Sequence, residues 1–312
     1  WNGSSWNQIG YDIDGEAAND QSGWSVSLSS DGNTVAIGSR YNDGNSGYLN
    51  DNRGNVRIYN YNGTSWNQLG QDIDGEASGD YSGTSVSLSS DGSTVAIGAP
   101  NNNGSNPSSG HVRIYNYNGS SWTQIGQDIN GEAGDDKSGF SVSLSNNGSI
   151  VAIGATGNTA NGQYTGHVRI YNYNGTSWNQ IGQDIDGEAS GDQSGQSISL
   201  SSDGSIIAIG APWNAAGYVK IYNYNGSSWN QIGNNIDGEA TSDLSGYSVS
   251  LSSDGNTLAV GAVYNDGNSS NSGHVRIYNW NGSSWNQIGN DIDGEAADDE
   301  TGTSVFLSSD GN

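Results

Sequence analysis

A single phrase, Ser-Trp-(Asn/Thr)-Gln-(Ile/Leu)-Gly, returns six times along the 312 residues of this chain, with its tryptophan at Trp6, Trp66, Trp122, Trp178, Trp229 and Trp285. The intervals are 60, 56, 56, 51 and 56 residues. Self-similarity at so long a period points to a propeller or a repeat array. Each copy is a supersecondary unit that cannot bury its own faces and must stack on its neighbours. Length alone would allow two domains, but a uniform repeat argues for one.

The stretch 83–128 shows how one copy reads. Val86 and Leu88 alternate with Ser85, Ser87 and Ser89, a period of two that marks a strand, a. Ser90-Asp91-Gly92-Ser93 reads as a tight hairpin in which glycine supplies a positive φ. Strand b is the β-rich run Thr94 to Pro100, and a variable loop over 101–110 follows. Strand c sets Val112, Ile114 and Asn116 on one face and Arg113, Tyr115 and Tyr117 on the other. Asn118-Gly119 predicts a two-residue type I′ turn. The run Ser120 to Ile129 reads as strand d, and an acidic connection leads into the next copy.

Four antiparallel strands per copy describe a propeller blade. A parallel β-helix needs shorter coils, and an α-solenoid needs helical periodicity, which the sequence lacks. The predicted fold is therefore all-β, a β-propeller of four-stranded antiparallel blades. Five complete blades are expected at about 22–81, 82–137, 138–193, 194–244 and 245–300, with partial repeats at 1–21 and 301–312. The spacing varies mainly in the b–c loop, which is long before Arg57 and short before Lys220, so one rim carries the variation. The chain opens on a strand d and stops after a strand a, which predicts an intact ring of six or seven blades. With no initiating Met and no signal peptide it reads as part of a longer protein.

Hydrophobic residues make up only 31% of the chain and the net charge is −25, a combination that elsewhere means disorder. The periodic Val, Ile, Tyr and Trp argue against that here. Eight Lys and Arg face 33 Asp and Glu, so a nucleic-acid partner is not expected, because phosphate binding needs a basic surface. An anionic membrane is disfavoured for the same reason, and no apolar run is long enough to insert. The absence of Cys removes disulfides, thiolate metal sites and Cys nucleophiles.

The phrase Gly-Asp-(Gln/Tyr)-Ser-Gly-(Thr/Gln)-Ser-(Val/Ile)-Ser-Leu-Ser-Ser-Asp-Gly-Ser, running into Ala-Ile-Gly-Ala-Pro, resembles the FG-GAP repeat family, whose propeller repeats also build integrin α-chain heads. The residues that carry the likeness are Gly83, Ser85 and Val86, Gly139, Ser141 and Val142, and Gly246, Ser248 and Val249 at the starts. Gly98, Ala99 and Pro100, with Gly210, Ala211 and Pro212, carry it at the ends. Ser-Gly or Thr-Gly stands where the family has Phe-Gly. The resemblance implies a seven-bladed propeller, usually extracellular, used in adhesion or recognition. Many family members hold calcium in a long a–b loop. Here that loop is as short as Ser30-Asp31-Gly32-Asn33 and offers one carboxylate, so that site is not carried over.

The acidic d–a connection is the best candidate for chemistry. It reads Asp-x-Asp-Gly-Glu-x-x-x-Asp at Asp12, Asp14, Glu16 and Asp20, at Asp72, Asp74, Glu76 and Asp80, at Asp184, Asp186, Glu188 and Asp192, and at Asp291, Asp293, Glu295 and Asp299. Asn130 and Asn235 soften the other two copies. Hard oxygens around a glycine turn suit Ca2+, whereas the alternative is that these carboxylates cap turns and pair with basic residues. One cation recurs in strand c, at Arg57, Arg113, Arg169, Lys220 and Arg276, and is expected to bond an acid of that connection between blades. His111, His167 and His274 share one position and, lying in different blades, cannot gather on one metal. The aromatic rows through Tyr115 and Tyr117 read as fillers between blades or as sugar-stacking platforms. Trp24 and Trp213 break the pattern and are candidates for a surface contact. Asn-Gly-(Ser/Thr) at Asn2, Asn62, Asn118, Asn174, Asn225 and Asn281 matches the glycosylation acceptor, although the turn alone explains it.

Catalysis needs unlike groups converging on one point. Here charged groups recur with the blade, which argues against an enzyme and for binding. The expected function is an extracellular or cell-surface recognition or adhesion propeller whose variable b–c rim meets a protein or glycan. The alternatives are a building block of a surface filament, with copies of itself as partners, and a multivalent lectin.

Overall fold

The computed structural model describes residues 3–44 and 50–311, so part of the long loop before Arg57, at 45–49, and Asn2 lie outside the described residues. Among the described residues every regular element is a strand, grouped in five antiparallel sheets. The first blade holds β1 (Ser22–Leu28), β2 (Thr34–Ser39), β3 (Asn55–Tyr61), β4 (Trp66–Gln68) and β5 (Ile73–Asp74). The second holds β6 (Ser85–Leu88), β7 (Thr94–Ala99), β8 (His111–Tyr117), β9 (Trp122–Gln124) and β10 (Ile129–Asn130). The third holds β11 (Ser138–Leu144), β12 (Ile150–Ala155), β13 (His167–Tyr173), β14 (Trp178–Gln180) and β15 (Ile185–Asp186). The fourth holds β16 (Ser197–Leu200), β17 (Ile206–Ala211), β18 (Tyr218–Tyr224), β19 (Trp229–Gln231) and β20 (Ile236–Asp237). The fifth holds β21 (Ser245–Leu251), β22 (Thr257–Ala262), β23 (His274–Trp280) and β24 (Trp285–Asp293). This is the β-propeller architecture that the strand pattern predicts.

Two local expectations are corrected. The outer strand is not continuous in the first four blades. In the second, Trp122 pairs with Tyr117 and Asn130 with His111, but the chain between them bends away from β8 at Gly126, where φ is +72°. The bend has a partner in the next blade. Gln127 donates to the Trp178 carbonyl at 2.8 Å and accepts from the Trp178 amide at 3.2 Å. Nor is the c–d turn a two-residue type I′. Tyr61 pairs with Trp66, which leaves four residues in the turn. The Asn62 carboxamide oxygen accepts from the amides of Thr64 at 3.0 Å and Ser65 at 2.9 Å. Asparagine thus builds an Asx turn, and only glycine takes a positive φ, +96° at Gly63.

The period of two in strand a has a different job on each face. Val86 and Leu88 turn toward the preceding blade, where they join Ala36, Val56, Ile58 and Ile73 in one buried cluster with Val95, Ile97, Tyr115 and Trp122. The serines turn toward the following blade. Ser85 donates to the Gly139 carbonyl at 2.9 Å, and the Ser87 hydroxyl accepts from the Leu144 amide at 3.0 Å. The same pair of bonds links the third blade to the fourth, through Ser141 to Gly195 and Leu200 to Ser143. Burying an aliphatic side chain of this size contributes about 1.5–3 kcal/mol, so the cohesion lies between blades more than within them. Close approach requires glycine at Gly98, where a Cβ would fall 2.0 Å from the Gly139 carbonyl oxygen.

Antiparallel order puts the a–b and c–d turns on one rim and the b–c and d–a loops on the other. On the first rim a chain of amide bonds runs from turn to turn, Ser30 to Ser90, Ser90 to Asn146 and Asn146 to Ser202. The inner strands surround a channel of about 500 Å³ walled by alternating Ser and Leu, among them Ser87, Leu88, Ser143 and Leu144.

Candidate functional site

The second rim is built by interleaving. Each d–a loop lies between the b–c loops of the two blades it joins. The Gly79 amide donates to the Asp51 carbonyl in the blade behind, and the Asn101 amide donates to the Asp80 carbonyl from the blade ahead. One aspartate of the loop fixes this arrangement. Asp80 is 1% exposed and accepts from the Ala77 amide at 2.8 Å and the Asn102 carboxamide at 2.9 Å. Asp20 does the same with Ala17 and Asn42, and Asp192 with Glu188, Ala189 and the Tyr218 hydroxyl. Asp299 caps its turn through Ala296 and stays exposed. Asp20, Asp80 and Asp192 thus act as turn caps that also bind the neighbouring loop or strand, whereas Asp299 only caps its turn.

The other acids of the predicted motif go elsewhere. Asp12, Asp72 and Asp184 each accept from the glutamine four residues earlier, Gln8, Gln68 and Gln180. Asp14 and Asp74 offer their carbonyls to the guanidinium groups of Arg57 and Arg113 at 2.7 Å. Asp186 and Asp293 pair in the sheet with His167 and His274. Glu16 accepts from Asn42 and Asn55, Glu188 pairs with Lys220, and Glu295 is exposed. The strand-c cation does bond the acidic connection between blades, as its recurrence predicts. Arg113 stands 3.6 Å from Glu76 and Arg169 3.3 Å from Glu132.

Among the described residues, acids of one connection do not gather three metal-capable atoms within reach of each other. Sets of three form instead across blade junctions, at Glu76, His111 and Asp128, at Glu132, His167 and Asp184, and at Glu239, His274 and Asp291, with ligand atoms within 4.8 Å. Sequence reasoning missed Asp128, Glu132 and Glu239 and treated the histidines apart from the acids. A signal was present, since Glu, His and Asp keep the same separations, 35 and 17 residues, in all three sets. Burial, and next the facing Arg113 or Arg169, pushes His111 and His167 down to about 4. His274 is lowered by the same two causes, burial and Arg276. In that third set the guanidinium of Arg276 grips Asp291 at 2.7 and 3.0 Å and holds its carboxyl below the usual range.

A cavity of about 320 Å³ opens on the same rim, lined by Asp135, Lys137, Thr156, Gly157, Tyr164 and Gln193. Lys137, Tyr164 and Gln193 all hold a positive φ, between 50° and 59°. Every copy repeats this backbone while its side chain changes between most copies. Gln21, Tyr81, Leu244 and Glu300 stand where Lys137 and Gln193 do, and Asn52, Ser108, Ala215 and Asn271 stand where Tyr164 does. Left-handed backbone at non-glycine residues costs about 1–2 kcal/mol and concentrates at functional surfaces. The two aromatic departures belong to the wider surface. Trp213 is half-exposed on the rim, and Trp24 is half-exposed with the Arg40 guanidinium 3.2 Å above its ring. The repeated Trp122, Trp178 and Trp229 are buried, each donating its indole N–H to the blade behind, as Trp178 does to the Ile125 carbonyl at 2.9 Å.

Comparison with known proteins bears on this geometry. Residues 237–278 match the FG-GAP repeat. No curated protein sequence matches the chain. Among solved structures, a functionally unknown protein of Desulfotomaculum acetoxidans DSM 771 is similar with a TM-score of 0.57 and 14% identity, covering 85% of this chain and 68% of that one. The Pseudomonas aeruginosa periplasmic gluconolactonase gives 0.56 and 16%, covering 88% and 72%. A Bacteroides uniformis ATCC 8492 protein provisionally named a 6-phosphogluconolactonase gives 0.53 and 12%, covering 87% and 85%. At such identities the likeness shows the fold. It also overturns the expectation that a chain of this kind is not an enzyme, because proteins with lactonase names carry the same fold. The physical reason is visible on the rim. Blade symmetry governs the strands and the loop backbone but not every loop side chain, so that unlike groups such as Lys137, Tyr164 and Gln193 do converge.

Proposed function

We propose, for a propeller whose residues 237–278 match the FG-GAP repeat, that the b–c and d–a rim is a recognition surface for a protein or glycan, working outside the cell or on its surface. The observation that carries this reading is where the copies differ. Blade interiors hardly vary, from the Val and Ile of the strands to the bridging serines. The changes fall on rim positions, Lys137 against Leu244, Tyr164 against Asn271 and Gly157 against Trp213. Exposed side chains such as Tyr164, held by an ordered left-handed backbone, are suited to contacting a partner. Half-exposed Tyr164, Trp213 and Tyr264 supply aromatic area of the kind enriched in such contacts.

The test is binding of the labelled chain to a glycan array and to intact cells, for wild type and for Tyr164→Ala with Trp213→Ala. Loss of binding in the rim variant, with Thr64→Ala and Ser227→Ala on the opposite rim retaining it, is the expected result. Binding that survives the rim variant and fails with the opposite one would overturn the reading.

A further inference from the structure

The buried histidines have no part in rim recognition, and the ring of one of them makes no hydrogen bond. His167 is 1% exposed, and neither ring nitrogen has a partner. Asp186 turns an equally unpartnered oxygen toward it, 4.0 Å from Nδ1, too far for a hydrogen bond. Leaving such groups buried and unmatched is costly. We propose that Glu132, His167 and Asp184 bind a divalent transition-metal ion of the zinc class at the junction of the second and third blades, and that Glu76, His111 and Asp128 repeat the site one junction earlier.

The spacing fits. Donors about 2.0–2.2 Å from a zinc ion stand about 3–4 Å from each other, and these ligand atoms lie within 4.8 Å in each set, before any adjustment to an ion. The charge fits as well. Around His167 the carboxylates of Glu132, Asp184 and Asp186 face one guanidinium, Arg169, which is tied to the Asn130 carbonyl at 2.8 Å and touches one oxygen of Glu132. An imidazole among carboxylates selects zinc-like ions over calcium, which prefers an all-oxygen shell. The natural variation within the chain agrees. At the third junction the histidine is Tyr218 and the matching aspartate is Asn235, and the Tyr218 hydroxyl spends its proton on Asp192 at 2.6 Å. The set at Glu239, His274 and Asp291 is excluded from the proposal, because Arg276 already binds both its carboxylates.

Calorimetric titration of the chelator-treated full chain with zinc chloride tests this, with calcium chloride as comparison and the visible spectrum of the cobalt(II) form as a second readout. Two equivalents of zinc are expected, with calcium giving no competing heat and cobalt giving an intense ligand-field band. His167→Asn, which installs the residue found at position 55, should remove one equivalent, and adding His111→Asn should remove the other. His274→Asn should leave two. Circular dichroism and the melting temperature establish that each variant is folded. No zinc uptake by wild type at micromolar concentration, an unchanged count in the folded double variant, or equal uptake of calcium would overturn the proposal.

Discussion

Asp31 and Asp254 hold the a–b turns by accepting from their neighbours. The Ser29 hydroxyl, 2.6 Å away, and then the Asn33 amide keep the Asp31 carboxyl below its ordinary value. Ser252 and Asn256 do the same for Asp254. A carboxylate whose value is lower folded than unfolded adds stability that is complete above the unfolded value and is lost as pH falls through the folded one. The denaturation midpoint should therefore fall with acidification below the ordinary carboxylate value of 3.8. Asp31→Asn with Asp254→Asn should flatten that limb while leaving the fold at neutral pH, since Asn147 fills the same place in the third blade with the same serine bonds. Denaturant melts across acid pH check this, and an unaltered acid limb would contradict it. At this scale the sequence was also misleading. Asn-Gly suggested a two-residue turn, but the Asn62 side chain competes for two amides and makes a longer one.

Strand positions within a blade were legible because their signals are local: alternation, Gly turns and the recurring Trp. Bonds between blades were not. Ser87 and Leu144, or Gln127 and Trp178, are more than 50 residues apart, and nothing in a strand pattern says which serine face meets which amide. The broken outer strand follows from such a bond. Gly126 has a φ of +72°, and a Cβ there would lie 2.6 Å from Cδ1 of Trp178. Gly119 has a φ of +95° with nothing within 4 Å of its added Cβ. Gly126→Ala should cost about 2–4 kcal/mol, combining left-handed strain with a clash. Gly119→Ala should cost only the strain, about 1–2 kcal/mol. Chemical denaturation measures both, and equal losses would remove the junction from the explanation. The candidate site was half legible for the same reason. The acids of one connection are close in sequence, which allowed either a calcium ligand set or turn caps to be read from them, whereas folding hands Glu132 to His167 of the next blade, beyond the reach of a local pattern.

The whole molecule divides into a repeated interior and a rim that differs from copy to copy. A net charge of −25 on such a surface favours cationic or neutral partners over anionic ones. The same division explains why a symmetric fold tells so little about function, since the interior serves packing and the rim serves whatever the loops present. Exchanging rim residues between blades tests it most directly. Lys137→Gln, Tyr164→Asn and Gln193→Glu place in the third blade side chains that the same backbone already carries at Gln21, Asn271 and Glu300. Melting temperature and binding to the ligand found on the array are measured together on the triple variant. A melting temperature within a few degrees of wild type and binding reduced at least about tenfold, a loss of roughly 1.4 kcal/mol, are expected. A chain that melts as early as Gly126→Ala, or that binds as wild type does, would contradict that division.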